Sequence, residues 1–354
     1  MILGAAPVRA NTLVDFNTNF GTIEVDLFDN ATPVTVQNFL TYLNDGTFTN
    51  SIVHRSAPIE STSANDIIQG GGFNTSYNSI TPSNAQGITN EYNVPNVAGT
   101  IAMARTSALN SATTEWFFNV NNNSALNDVA DSNQYAVFGQ VVSGMSVINA
   151  IASLPTYNVS SVTGLASNPN AGAFTQLPLQ NYSSSDVTNN ITPNNNNLVI
   201  VESVTKVGTY QPVWQNATNR FDVLNTGTVN PLDSLAIITY LNKNGSDSVN
   251  NNGLAVALPG THTAGAPYYD VDGDGYVTTL TLTNMNTELN TLAISLNSAS
   301  LMMLSAASGS SGFSLQISAV PEPSSLALAG IGCAGALWSA IFGRRRALRR
   351  RIAS

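Results

Sequence analysis

Between Leu13 and Val204 the apolar residues come in short stretches broken by turn residues, and only two segments carry a helical period. Leu13 to Phe28 reads as a hairpin: Val14 and Phe16, a polar turn at Asn17 to Gly21, then Ile23, Val25 and Leu27 alternating with Thr22, Glu24 and Asp26. A helix is expected next. Thr32 is its candidate N-cap, Pro33 takes the first helical position, Val36, Phe39, Leu40 and Leu43 form one stripe, and Gly46 stops it. Val147, Ile151 and Leu154 before Pro155 suggest the second helix. Ile67-Ile68, Ile101 to Met103, Trp116 to Val120, Val137-Phe138 and Leu198 to Val204 supply further strands. The whole predicts a mainly β domain with two helices.

At 354 residues the chain has room for two or three domains. Hydrophobic residues make up 43% and charged residues 9%, which excludes disorder of the whole and leaves a surface of Asn, Ser and Thr. Six of the twelve basic residues lie within 344–351, so the first 343 residues carry six basic against 21 acidic groups, a balance of −15. Such a chain repels phosphate, and no nucleic-acid partner is expected. The single cysteine, Cys333, sits in an apolar run, which leaves no disulfide framework and no thiolate metal site. With only His54 and His262, a His-rich zinc centre is excluded as well.

Six segments then form a series: Phe20 to Val25, Thr32 to Phe39, Val53-His54-Arg55, Gln69 to Phe73, Gly99 to Arg105 and Val137 to Val141. Their order and spacing resemble the cyclophilins, over residues 12–208. The resemblance implies an eight-stranded antiparallel barrel capped by two helices and peptidyl-prolyl cis-trans isomerase activity (EC 5.2.1.8) on proline-containing peptides or unfolded proteins, with no cofactor for catalysis. The chemistry can be argued without the name. Rotation about a prolyl amide crosses a barrier of about 18–20 kcal/mol set by amide resonance, and no covalent nucleophile is needed. An apolar slot that holds the ring and dries the amide helps, as does a permanent cation aimed at the twisted amide. Arginine suits that role because its guanidinium keeps its charge in a partly apolar cleft.

Arg55, in the family's His-Arg position, is therefore the expected electrostatic catalyst, and Gln69 is expected to bind the substrate backbone and orient it. The resemblance puts Ile67, Ala104, Leu126 and Tyr135 around the proline, with Phe117 as the floor. Because Trp116 and Phe118 flank Phe117, strand register decides whether it faces a pocket or the core. Gly70 to Gly72 is not a phosphate loop, since no Lys-Ser/Thr follows it. The chain departs from the family at Asp66 (usually aromatic), Ile67 (methionine), Glu115 (glutamine), Ala125 (often tryptophan or phenylalanine) and Tyr135 (histidine), and Ser56 to Asn65 is longer than the family's turn. These changes keep a rival open: a barrel that grips proline segments without turning them over.

From Trp214 two 12-residue loops recur 48 residues apart, Asp222 to Asp233 and Asp270 to Thr281. In the second, Asp270, Asp272 and Asp274 stand at loop positions 1, 3 and 5, Gly275 at 6, and Tyr276 would offer its carbonyl at 7, an EF-hand-type calcium arrangement. Thr281 replaces the usual acid at position 12. The first loop keeps Asp222, Gly227 and Asp233 but has Leu224 and Thr226 at ligand positions, and whether it binds calcium stays open. Helices are expected at Ser234 to Leu241 and Leu282 to Leu289. Residues 214–295 resemble a dockerin type I domain, a small α-helical module that implies calcium and a cohesin-like partner.

Residues 296–319 read as a linker. Val320-Pro321-Glu322-Pro323, the charge-free run Leu326 to Phe342 and the arginine cluster together resemble a PEP-CTERM sorting signal over 320–354. That implies a transmembrane helix, processing by an exosortase-type enzyme, and an exported protein of the cell envelope or exterior. Residues 1–11 lack the apolar stretch of a signal peptide, so the segment directing export is expected upstream or removed by trimming.

Overall fold

Alternation along the first two strands sets the architecture. In β1 (Asn11–Thr18) and β2 (Gly21–Leu27), Val14 pairs with Val25 and Phe16 with Ile23, which turns one apolar face inward. Helix α1 (Pro33–Asn44) lays Val36 and Phe39 on that face, and Gly46, with φ of +70°, ends it where a β-carbon would be strained. Phe16 lies at the centre, with ring centroids 5.8 Å from Phe39, 5.0 Å from Trp116 and 5.3 Å from Phe118. The computed structural model describes residues 10–59, 65–128, 133–244, 255–258, 262, 266–278 and 281–292.

Then follow β3 (Ser51–Ile52), β4 (Arg55–Ala57), β5 (Ile67–Gly70), β6 (Thr100–Met103) and β7 (Trp116–Asn119). A small ribbon joins β8 (Asn127–Asp128) to β9 (Asn133–Gln134). After β10 (Val137–Ser143) comes α2 (Met145–Ala152), which buries Ile148 and Ile151. A second ribbon pairs β11 (Thr156–Tyr157) with β12 (Leu177–Pro178), and α3 (Ser184–Thr188) leads to the long β13 (Ile200–Tyr210). Nine of these strands form one antiparallel sheet in the order β3-β13-β1-β2-β10-β6-β7-β5-β4.

The count differs from the expected eight for a local reason. Residues 51–57 are one stretch broken at Val53-His54: its first half pairs with β13, its second half with β5. Val53 N–H donates to Val199 O and His54 N–H to Gln69 O, both at 3.0 Å, so the sheet curls until one stretch of chain supplies both its edges. Segment 155–197, for which no element was expected, adds an outer apolar cluster of Phe174, Leu177, Leu179 and Tyr182 against Ile52 and Phe73.

Thr32 takes the N-cap position of α1, its carbonyl accepting from Val36 N–H, but its side chain makes no capping bond. It is fully buried and bonds back to Phe28 O, while the Glu91 carboxylate receives the N–H groups of Val34 (3.2 Å) and Thr35 (2.8 Å). A remote acid thus meets the helix's orphan donors and its positive dipole end. Glu91→Ala is expected to lower stability by about 0.5–2 kcal/mol in denaturant titration, the usual cost of a lost cap.

The loop-rich module carries α4 (Pro231–Asn244), the ribbon of β14 (Ala255–Ala257) and β15 (Tyr276–Thr278), and a helix over 281–292. The two expected helices are present, but the ribbon makes the module mixed rather than wholly α-helical. Residues to Met285 form one compact unit, and a second begins at Asn286 inside that last helix. Within the first unit loop two is seated on the curled sheet domain: Asn11 Nδ2 donates to Gly273 O (2.7 Å), Asn93 Nδ2 to Thr278 Oγ1 (3.2 Å), and Tyr276 joins an apolar cluster with Phe28, Ala31 and Val94. Among the described residues no helix is long and apolar enough to cross a membrane. The linker, the Pro-Glu-Pro motif, the apolar run 326–342 and the arginine cluster lie outside the described residues.

Candidate active site

Register brings the expected catalytic residues onto neighbouring strands. Arg55 on β4 pairs with Gln69 on β5, Gln69 with Phe117 on β7, and Phe117 with Ala102 on β6. Period-two alternation then sorts the two faces. Ile68, Trp116, Phe118, Ile101 and Met103 point into the inner core, whereas Ala57, Ile67, Phe117 and Ala102 point to the other face and join Leu126, Ala104 and Tyr135 in a second cluster. Phe117 therefore belongs to the pocket side, its ring centroid 5.8 Å from Tyr135 in an edge arrangement. Gly70 is small because the Trp116 ring lies where its β-carbon would be, 2.6 Å away.

Arg55 stands at the rim of this apolar group. Its Nε donates to Gln176 Oε1 (3.1 Å) and a terminal nitrogen to Gln69 Oε1 (3.2 Å). Burial pulls its pKa below the ordinary arginine value, and Tyr135 and Glu115 work against that pull. Gln69 in turn donates from Nε2 to Glu115 Oε2 (2.7 Å), which also lies 3.4 Å from His54 Nε2. The result is a half-buried cation beside a dry aromatic and aliphatic surface, an arrangement able to hold a proline ring and polarise its amide without a cofactor.

Two members of the site were not legible beforehand. Gln176 arrives from the segment 155–197, with no local pattern to announce it. Ile59 packs against the Phe117 cluster; it is the one bulky apolar residue of the longer turn, which was the available signal. Asp66, which falls at an aromatic position, is buried away from the pocket: it accepts from Ile59 N (2.8 Å) and Asn121 Nδ2 (2.9 Å) and so ties the long turn down. Ala125 is exposed on a single 3-10 turn (Ser124–Leu126), and Arg105 covers the Tyr135 ring at 4.5 Å.

The family model described as cyclophilin type peptidyl-prolyl cis-trans isomerase/CLD matches residues 13–166. A peptidyl-prolyl cis-trans isomerase of Acinetobacter baylyi is 41% identical over 157 residues, which cover 44% of this chain and 79% of that protein. The chain belongs to the cyclophilin-type peptidyl-prolyl isomerases. Isomerase B of Escherichia coli is 40% identical over 149 residues (41% of this chain, 86% of the relative), and isomerase A of Dickeya dadantii is 36% identical over 165 residues (47% and 84%). As a cyclophilin it is a peptidyl-prolyl cis-trans isomerase, EC 5.2.1.8.

The second loop forms a cluster of its own. One carboxylate oxygen from each of Asp270, Asp272 and Asp274 lies within 4.8 Å of the others. Asp270 accepts from the N–H groups of Gly273, Asp274 and Gly275 (2.7–3.0 Å), Thr281 Oγ1 reaches Asp272 (3.2 Å), and Asp274 Oδ2 is buried with no hydrogen-bond partner. Burial raises all three pKa values, Asp270 to about 7 and Asp272 to about 6. Buried carboxylates with an orphaned oxygen fit a hard divalent cation, and an all-oxygen donor set suits calcium better than zinc. Tyr276 donates its N–H to Asp274 Oδ1, and its side chain packs in the cluster of Phe28, Ala31 and Val94. In the first loop Asp222 accepts from Thr226 N and Gly227 N, and Asp233 from Leu224 N and Asn230 N, so backbone donors engage both acids.

Proposed function

We propose that the cyclophilin domain turns over X-Pro bonds of exported or cell-surface proteins, with Arg55 as the electrostatic catalyst and Gln69 and Phe117 beside it. The observation that carries this reading is the Arg55 guanidinium, held by Gln69 and Gln176 at the edge of the Ile67, Phe117 and Leu126 surface. The ring of the substrate proline lies on Phe117, lined by Ile67, Ala104, Leu126 and Tyr135. As the amide twists, its nitrogen regains a lone pair, and Arg55 donates toward that electron density without transferring a proton. Export rests on the sequence of Pro-Glu-Pro motif, apolar run and arginine cluster over residues 320–351, and exosortase-type processing and membrane anchoring go with it.

An X-Pro peptide added to the full chain should shift the amide resonances of Ile67, Phe117, Leu126 and Tyr135, and the matched X-Ala peptide should leave them in place. Equal shifts from both peptides would remove the proline pocket.

A second reading concerns the module after residue 213: a dockerin-like calcium unit that presents the isomerase to a cohesin-like partner. The orphaned Asp274 Oδ2 among three buried carboxylates favours it. Calcium at about 100 times its Kd should stabilise the folded chain by about 2.7 kcal/mol. Melting with calcium and with chelator reads this directly, and an Asp272→Ala chain should melt alike under both conditions. No calcium effect on the wild type would refute the reading.

A further inference from the structure

Gln69 sits between two groups that each speak one hydrogen-bonding language. A guanidinium only donates and a carboxylate only accepts. Arg55 donates to Gln69 Oε1 (3.2 Å) and Gln69 Nε2 donates to Glu115 Oε2 (2.7 Å), so the amide has a single orientation that satisfies both neighbours. An amide side chain at 115, which the cyclophilin resemblance puts there, could give or take and would leave Arg55 alone to set the orientation. Here the acid is chosen, and the surroundings are fitted to it.

Gly72 leaves room for it: a β-carbon there would lie 2.9 Å from the Glu115 carboxyl carbon. His54, 3% exposed, places Nε2 3.4 Å from Glu115 Oε2, holds its ring edge-on to Phe73 at 4.9 Å, and donates its backbone N–H to Gln69 O. The ionisable groups around the acid are thus His54 on its own side and Arg55 across Gln69, with Tyr135 facing Arg55. Burial pushes the Glu115 carboxyl up, but the hydrogen bonds and charges of His54, Gln69 and Arg55 outweigh it and hold the pKa below the ordinary value.

We propose that Glu115 is a positioning residue for isomerisation: it fixes the amide of Gln69 so that its carbonyl oxygen always holds Arg55 in the pocket rim. This rests on Arg55 and Gln69 being the machinery of turnover. The sequence departs from the family at this position, and the departure makes the catalytic pair more rigid rather than less. The substrate ring is held by the apolar cluster, so the effect falls on kcat and leaves KM nearly unchanged.

The test uses the full chain as wild type, Glu115→Gln and Glu115→Asp, with X-Pro peptide exchange, thermal melting and the side-chain amide resonances of Gln69 as readouts. Glu115→Gln should melt near the wild type, lose about threefold to tenfold in kcat, the worth of one hydrogen bond, and show the Gln69 amide pair broadened or doubled. Glu115→Asp, still acceptor-only, should recover part of kcat and the single amide pair. Unchanged kcat and an unchanged Gln69 amide pair in Glu115→Gln would overturn the proposal, as would a Glu115→Asp chain no better than Glu115→Gln. A wild type that does not isomerise the peptide would instead refute the reading of Arg55, and the Gln69 resonances would still decide the role of Glu115.

Discussion

Replacing Arg55 with alanine is expected to lower kcat on an X-Pro peptide about 100- to 1,000-fold, the cost of removing one donor aimed at developing charge, while KM changes far less. The reason is geometric. In the proposed mechanism the ring is gripped by Ile67, Phe117 and Leu126, which cluster together, while Arg55 meets the twisted amide, so its loss is expected to fall on the transition state. Lysine at 55 should not restore the rate, because one ammonium cannot donate from two nitrogens fixed by Gln69 and Gln176. Exchange spectroscopy with the peptide in excess separates the two constants. A variant with full kcat and raised KM would make Arg55 a binding residue only.

Asp26→Asn is expected to raise the melting temperature at pH 8 and to raise it much less at pH 5. Asp26 is fully buried on β2, and burial lifts its pKa to about 8 against the pull of Asn11 and Gln140, with Asp270 and Asp29 adding to the rise. Its Oδ1 has no partner, and Oδ2 accepts from Asn11 (3.2 Å) and Gln140 (3.4 Å). The sign follows from the folded state holding the proton more tightly than the unfolded one. Stability is full below about pH 4, the ordinary carboxylate value, and falls as pH rises toward 8. Each pH step between those two values costs about 1.4 kcal/mol, so the loss reaches several kcal/mol. The asparagine side chain fills the same space without the charge, so the Asp26 share of the pH dependence should vanish and only that of the buried Asp270, Asp272 and Asp274 should remain. Parallel pH dependence in both proteins would show that Asp26 does not hold its proton. Asn11 also reaches Gly273, so the same buried acid sits under the seat of the second loop.

The sequence was most informative where a local pattern carries the structure. The hairpin of Val14 and Phe16 with Ile23, Val25 and Leu27 was readable because period-two burial is local, and the stripe of α1 because 3.6-residue burial is local. Arg55, Gln69 and Phe117 were named through motif order, and strand pairing sets them side by side. What was not legible depends on distant chain. Glu91 caps a helix that starts 58 positions before it, Gln176 reaches Arg55 across 121 positions, and loop two finds Asn11 across 262 positions. None of these contacts leaves a local period. Asp66 misled because position in a motif was taken for position in a pocket, while the longer turn before it moved Ile59 to the apolar cluster instead.

The most direct measurement is the rate of cis-trans exchange in a short X-Pro peptide with the full chain added at catalytic concentration. The account predicts exchange well above the uncatalysed rate, which is set by minutes-scale prolyl isomerisation, and saturation as peptide is raised. Peptide binding with an unaltered exchange rate would contradict it, and would make the Ile67, Phe117 and Leu126 surface a grip for proline segments rather than an active site.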